Sequence, residues 1–150
     1  IGNISPEIFY DQIRDMRYLG LSASEIDGAW NALLLDFPKE RLDLLASLKG
    51  KYRLFLLSNT NIIHYEAYIA NFKAEHGENG LGSYFEKMYL SHEVGLRKPD
   101  PKIFQLVLDE QKLEASQTLF IDDSKQHIDV ANSLGIKTHW LDKGVVTDLF

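Results

Sequence analysis

The chain has 150 residues, 45% of them hydrophobic and 25% charged, which suits one packed core with a small subdomain and sets disorder and fibrous classes aside. A formal charge of -6 and a pI near 5.3 argue against nucleic acid as a partner, which needs a basic face, but a small anion needs only a local positive spot. The lack of cysteine excludes disulfides, iron–sulfur clusters and thiolate chemistry, and no apolar run reaches the ~18 residues of a membrane span, so neither membrane nor secretion is expected and the cytoplasm is the default.

The first fifty residues read as helices. Ser5-Pro6-Glu7 supplies a cap, a proline for the first helical position and an acid for the positive dipole end, followed by Ile8, Phe9, Ile13 and Met16 on one side. Ser22 and Glu25 make a capping box, and Ile26, Trp30, Leu33 and Leu34 recur at the spacing of a buried helical face. Pro38 can start a third helix, carrying Leu42, Leu45 and Leu48 and stopping at Gly50.

From Tyr52 onward short apolar runs alternate with helical stretches. Strands are predicted at residues 53–57, 87–90, 118–121 and 137–141, buried on both faces, with crossover helices at 61–75, 101–112 and 124–134. Gly77, Gly80 and Gly82 mark a loop, and Gly135 ends the last crossover helix. The expected fold is α/β, a doubly wound parallel Rossmann-like sheet.

Ligands of such sheets bind beyond the carboxyl ends of the strands. There the sequence places Ser58-Asn59-Thr60, Asp122-Asp123-Ser124 and, a short loop after the second strand, Lys98-Pro99-Asp100-Pro101, which should converge on one rim. Ser58, before a helix start, suits phosphate oxygens. Lys98 offers a point charge stiffened by Pro99 and by the helix that Asp100 caps and Pro101 begins. Asp122 and Asp123 are hard oxygen ligands suited to Mg²⁺. Each has a plainer reading: Ser58-Asn59-Thr60 as a helix cap, Lys98 as a solvated surface lysine, one aspartate as the cap of the next helix. Adjacent carboxylates at the end of an apolar strand repel, however, unless a cation or partner compensates.

In order, Leu56-Leu57-Ser58-Asn59-Thr60-Asn61, Gly95-Leu96-Arg97-Lys98-Pro99-Asp100-Pro101 and Leu119-Phe120-Ile121-Asp122-Asp123-Ser124 resemble the second, third and fourth motifs of the haloacid dehalogenase-like hydrolases. The leading helices resemble the rear of the helical cap of that superfamily's subfamily I, which divides the chain into a cap remnant at 1–48 and a core at 49–150. Gly2-Asn3-Ile4-Ser5, Ala29-Trp30 and the Ser58 motif are most similar to sugar-phosphate phosphatases that act on glucose 1-phosphate. The resemblance implies that Ser58, the amide after it (Asn59) and Lys98 bind the transferring phosphoryl group of a small phosphorylated substrate. It implies Ser58, Lys98 and Asp122 as catalytic residues and Asp122 with Asp123 as the Mg²⁺ site. His127 departs from the asparagine that many relatives carry.

The family's first motif, a strand ending in Asp-x-Asp whose first aspartate becomes phosphorylated and whose second is the acid and base, has no match. Asp36 follows leucines of a helical face and is rejected as nucleophile. Because Ile1 is not methionine, the expectation is a longer gene product whose preceding segment carries the nucleophile and the sheet's central strand. The 150 residues alone should then be inactive. A metal-free dehalogenase, a sugar-phosphate mutase, a receiver-like domain and a degenerate binding protein remain as alternatives. The five histidines show no i, i+3 or i, i+4 pair, which reads against a transition-metal site. Oligomeric state is not legible.

Overall fold

A computed structural model describes residues 2–17 and 20–150. It divides into two compact units, 1–95 and 96–150.

The first unit opens with α1 (Pro6–Arg17), α2 (Ala23–Asn31) and α3 (Lys39–Leu48). The capping box is present: Glu25 N–H donates to Ser22 Oγ at 3.2 Å and Ser22 N–H to Glu25 Oε2 at 2.9 Å. The predicted apolar faces are only partly buried. Ile26 packs inside, but α2 stops at Asn31, where Leu34 N–H turns back to the Asn31 carbonyl (2.9 Å). Leu33, beyond that stop, is 63% exposed, and Ile8 and Met16 of α1 also face solvent. Trp30 is anchored at the surface between the rings of Phe9 (4.9 Å) and His64 (5.6 Å).

Next come β1 (Phe55–Ser58), α4 (Ile62–His76), β2 (Lys87–Leu90) and the short α5 (Ser91–Val94), which the sequence reading treated as loop. β1 and β2 pair in parallel, with Ser58 opposite Leu90. Phe72 of α4, only 1% exposed, centres a core with Leu42 of α3 and Leu81, ringed by Phe37, Tyr68, Leu56 and Met88. This packing fixes α4 against the strand that precedes it.

In the second unit, α6 (Pro101–Gln111), β3 (Leu119–Asp122), α7 (Lys125–Ser133) and β4 (Lys137–Trp140) follow the predicted alternation. Asp100 caps α6 by accepting Lys102 N–H at 2.9 Å, with Pro101 as its first residue. Gly135, at φ +82°, takes the left-handed turn that ends the α7 segment, the conformation glycine adopts at least cost. Ile103, Phe104, Leu108, Ile128 and Ala131 form the core, and Phe104 meets Phe120 edge-on at 5.2 Å.

The fold is α/β with parallel strands, as expected. Among the described residues four strands form two parallel pairs, β1–β2 in the first unit and β3–β4 in the second. The expectation of strands buried on both faces holds only for the end of β2, at Tyr89 and Leu90. In β1, β3 and β4 no residue is fully buried, and most are partly covered. A strand with one ladder neighbour keeps an open edge, so an all-apolar run shows what a strand can bury, not what covers it.

The core assignment makes a direct prediction. Phe72→Ala should cost about 3–5 kcal/mol in urea unfolding, whereas Leu33→Ala should stay within about 0.5 kcal/mol. Equal losses would show that the helical face read from the sequence is buried after all.

Candidate active site

In the second unit the chemistry gathers at the carboxyl end of β3. Lys98 Nζ donates to Asp122 Oδ2 at 2.7 Å, and both side chains are 9% exposed. Lys98 Nζ also lies 5.5 Å from the centroid of the Phe120 ring, a favourable position for a desolvated ammonium. The plain reading of Lys98 as a solvated surface lysine is thereby excluded.

The other carboxylate oxygen of Asp122 is equally committed. Oδ1 accepts Ser124 N–H at 2.9 Å and lies 2.9 Å from His127 Nδ1. Burial pushes the Asp122 carboxyl up, but the Lys98 hydrogen bond, the Ser124 amide, the Lys98 charge and His127 together outweigh it and hold the group below the usual carboxylate range. With Asp122 ionised and able only to accept, His127 Nδ1 must be the donor.

Asp123 is exposed. Its main-chain carbonyl accepts the Trp140 indole Nε1–H at 3.0 Å. The register explains this contact: Asp122 lies opposite Trp140, and Leu141 N–H continues the ladder to the Asp122 carbonyl at 3.0 Å. Lys125 Nζ sits 5.9 Å from the Trp140 ring centroid, tying the first residue of α7 to the same side chain.

Ser58 and Asn59 stand in the first unit, at the carboxyl end of β1. The helix cap there belongs to Asn61, whose Oδ1 accepts His64 N–H at 2.9 Å. Ser58 is therefore not the cap of α4, and the plain reading of Ser58-Asn59-Thr60 as capping residues does not hold. Thr60 is held at both main-chain groups by Ser91: its N–H donates to Ser91 Oγ at 2.9 Å, and that hydroxyl donates back to the Thr60 carbonyl at 2.8 Å.

Of the residues singled out from the sequence, the structure joins Lys98 to Asp122, sets Asp123 beside them and places Ser58 with Asn59 at the corresponding strand end of the other unit. Sequence reasoning missed Ser91 and Trp140, and it noted His127 only as a departure. Their signal was positional: each lies where strand register or one helical turn brings it against a motif residue.

Magnesium, implied by the resemblance, takes one or two carboxylates and fills its octahedron with water and phosphate oxygens. Asp122 and Asp123 have that donor chemistry, and a carboxylate's roughly four acceptor directions exceed the three contacts that Asp122 makes. Among the described residues no three His, Asp or Glu side chains gather as a complete cation cage.

A family model described as haloacid dehalogenase-like hydrolase matches residues 41–141. A D-ribitol-5-phosphate phosphatase of Bacteroides thetaiotaomicron is 31% identical over 144 residues, covering 95% of this chain and 69% of that enzyme. A HAD family enzyme of the same organism, solved as an aspartate-to-alanine mutant with magnesium and inorganic phosphate, superposes with a TM-score of 0.92 at 41% identity, over 99% of this chain and 74% of that one. A HAD-like hydrolase of Porphyromonas gingivalis gives a TM-score of 0.87 at 31% identity, over 97% of this chain and 70% of its own. Among the described residues no helix is long and apolar enough to cross a membrane. Three motifs in order, two parallel strand ends that carry them and these relatives lead to one conclusion: the chain belongs to the haloacid dehalogenase-like hydrolases.

Proposed function

We propose that this chain is the larger part of a Mg²⁺-dependent phosphohydrolase acting on a small phosphorylated metabolite, with sugar and polyol phosphates as the first class to test. The observation that carries the reading is the buried Lys98–Asp122 pair with Asp123 beside it at the end of β3. A desolvated cation locked to a carboxylate, next to a second carboxylate, has the composition of a phosphate-and-magnesium site. The Bacteroides relative crystallised with magnesium and inorganic phosphate supports it, and so does the ribitol-phosphate phosphatase.

In this reading Ser58 and the Asn59 amide bind the phosphoryl oxygens, and Lys98 neutralises and orients them. Asp122 and Asp123 hold Mg²⁺, which when bound adds positive charge against the phosphoryl oxygens. The attacking group is an aspartate, and phosphoryl transfer passes through an aspartyl-phosphate. No Asp-x-Asp occurs in these 150 residues, so that aspartate is supplied from outside them. Residues 1–48 serve as the rear of a helical cap and 49–150 as the catalytic core. The enzyme works in the cytoplasm.

The test is hydrolysis of a panel of sugar, polyol and nucleoside phosphates by a polypeptide in which this chain follows an Asp-x-Asp-bearing segment. Activity should appear with Mg²⁺, vanish with EDTA and fall at least about a hundredfold in Asp122→Asn. Halide release without metal would instead make the protein a dehalogenase. The 150-residue polypeptide by itself should be inactive, and Asp122-dependent turnover by it would overturn the assignment of the nucleophile.

The ion pair also predicts stability. Lys98→Met should cost about 3–5 kcal/mol by leaving a carboxylate buried without its cation. Because the folded Asp122 carboxyl is held below its ordinary value, its stabilising contribution is present above about pH 4 and fades as the pH falls through the folded value. Urea titrations should therefore show a flatter acid limb for Asp122→Asn than for the unmodified chain.

A further inference from the structure

We propose that Ser91 is a positioning residue for the phosphate-binding turn Ser58-Asn59-Thr60, an inference that rests on the phosphate reading of Ser58 given above. Ser91 is 3% exposed, among the few buried polar side chains of the chain. Burying a hydroxyl is costly unless it is hydrogen-bonded, and this one spends both its donor and an acceptor on one residue. Thr60 N–H donates to Ser91 Oγ at 2.9 Å, and Ser91 Oγ–H donates to the Thr60 carbonyl at 2.8 Å.

The parallel register explains how this arises. Ser58 is the last paired residue of β1, opposite Leu90, the last of β2. Beyond that rung the chains diverge, β1 into the turn leading to α4 and β2 into α5. The main-chain groups of Thr60 would lose their ladder partner there, and the Ser91 side chain replaces it. The consequence falls on the two residues before Thr60. Ser58 is fixed by its strand pairing and Thr60 by Ser91, so both chain neighbours of Asn59 are anchored. Asn61 then closes the segment by capping α4. These two fixings restrict the path of the main chain that carries the Ser58 hydroxyl and the Asn59 amide, the groups assigned to the phosphoryl oxygens.

The second unit uses the same device with a different side chain. Trp140, at the end of β4, reaches from its register position opposite Asp122 to the Asp123 carbonyl. In both pairs a side chain at the end of the later strand or one residue beyond it holds the main chain of the turn leaving the earlier one.

The experiment titrates inorganic phosphate in the presence of Mg²⁺ into the full chain and its Ser91→Ala, Ser91→Cys and Ser58→Ala variants, with amide exchange at Thr60 measured alongside. Ser91→Ala should weaken phosphate about tenfold, the loss expected for one misplaced hydrogen bond, and Thr60 exchange should accelerate while the Phe72 core amides keep their protection. Ser91→Cys, nearly the same size but a weak donor and acceptor, should fall between the two. A general loss of core protection in Ser91→Ala would reduce Ser91 to a packing residue, and unchanged Thr60 exchange would remove it from the turn; either overturns the proposal. Failure of the phosphate reading looks different: Ser58→Ala would leave phosphate affinity unchanged while Ser91→Ala still frees Thr60. If Ser58→Ala weakens phosphate and Ser91→Ala does not, the phosphate reading stands and the positioning role falls.

Discussion

The second unit depends on keeping one buried carboxylate charged. Asp122 can stay ionised inside the protein only because Lys98 sits 2.7 Å away and two N–H groups meet its other oxygen. Taking two charges out of water costs several kcal/mol per ion before their attraction and hydrogen bonds offset it. The surroundings follow from that requirement. Asp100 and Pro101 start α6 two residues after Lys98 and hold the loop that carries it. β3 delivers Asp122 at its last position, and α7 begins close enough behind to turn His127 back onto the carboxylate. Replacing a buried ion pair by well-packed hydrophobic residues is often neutral or stabilising, so stability alone does not account for this one.

Parallel pairing supplies the positional accuracy. Strand register sets the height of each residue, and a one-residue slip would send every side chain to the opposite face. With Ser58 opposite Leu90 and Asp122 opposite Trp140, the next residue along or the paired side chain itself is the one within reach of the departing turn. At the first pair a hydroxyl one residue past the ladder holds Thr60, two residues past Ser58, and at the second an indole on the last rung holds Asp123, the residue after Asp122. Different side chains thus meet a shared geometric need.

How much of this could be read from the sequence differs from element to element. Caps were legible because their chemistry is local: Ser22 with Glu25, Asp100 with Pro101 and Gly135 behave as read. Strand positions were legible to within one or two residues because the apolar runs are short and sharply bounded. Burial was not, since β1 and β3 look fully apolar yet their cover depends on neighbours distant in the chain. The continued leucine spacing past Asn31 suggested a longer helix, but a turn at Leu34 ends it. Asp122 and Lys98 were found by their place after strands. Ser91 escaped because the segment after the second strand read as loop, and only the register shows what its hydroxyl faces.

The charges of the Lys98 cluster explain why two aspartates stand together. Lys98 and Asp122 neutralise one another, so the exposed carboxylate of Asp123 leaves the three side chains with one net negative charge. On the proposed reading, that residual negative charge would disfavour a phosphate dianion in the empty site and favour a divalent cation. With a divalent ion in place the same set carries one net positive charge, and phosphate becomes the favoured guest. An asparagine at position 123 would leave the cluster neutral, weakening its claim on the cation, and a lone carboxylate at 122 already has a partner in Lys98. On the proposed reading of the site, the second aspartate is what would make the affinity for phosphate conditional on the metal.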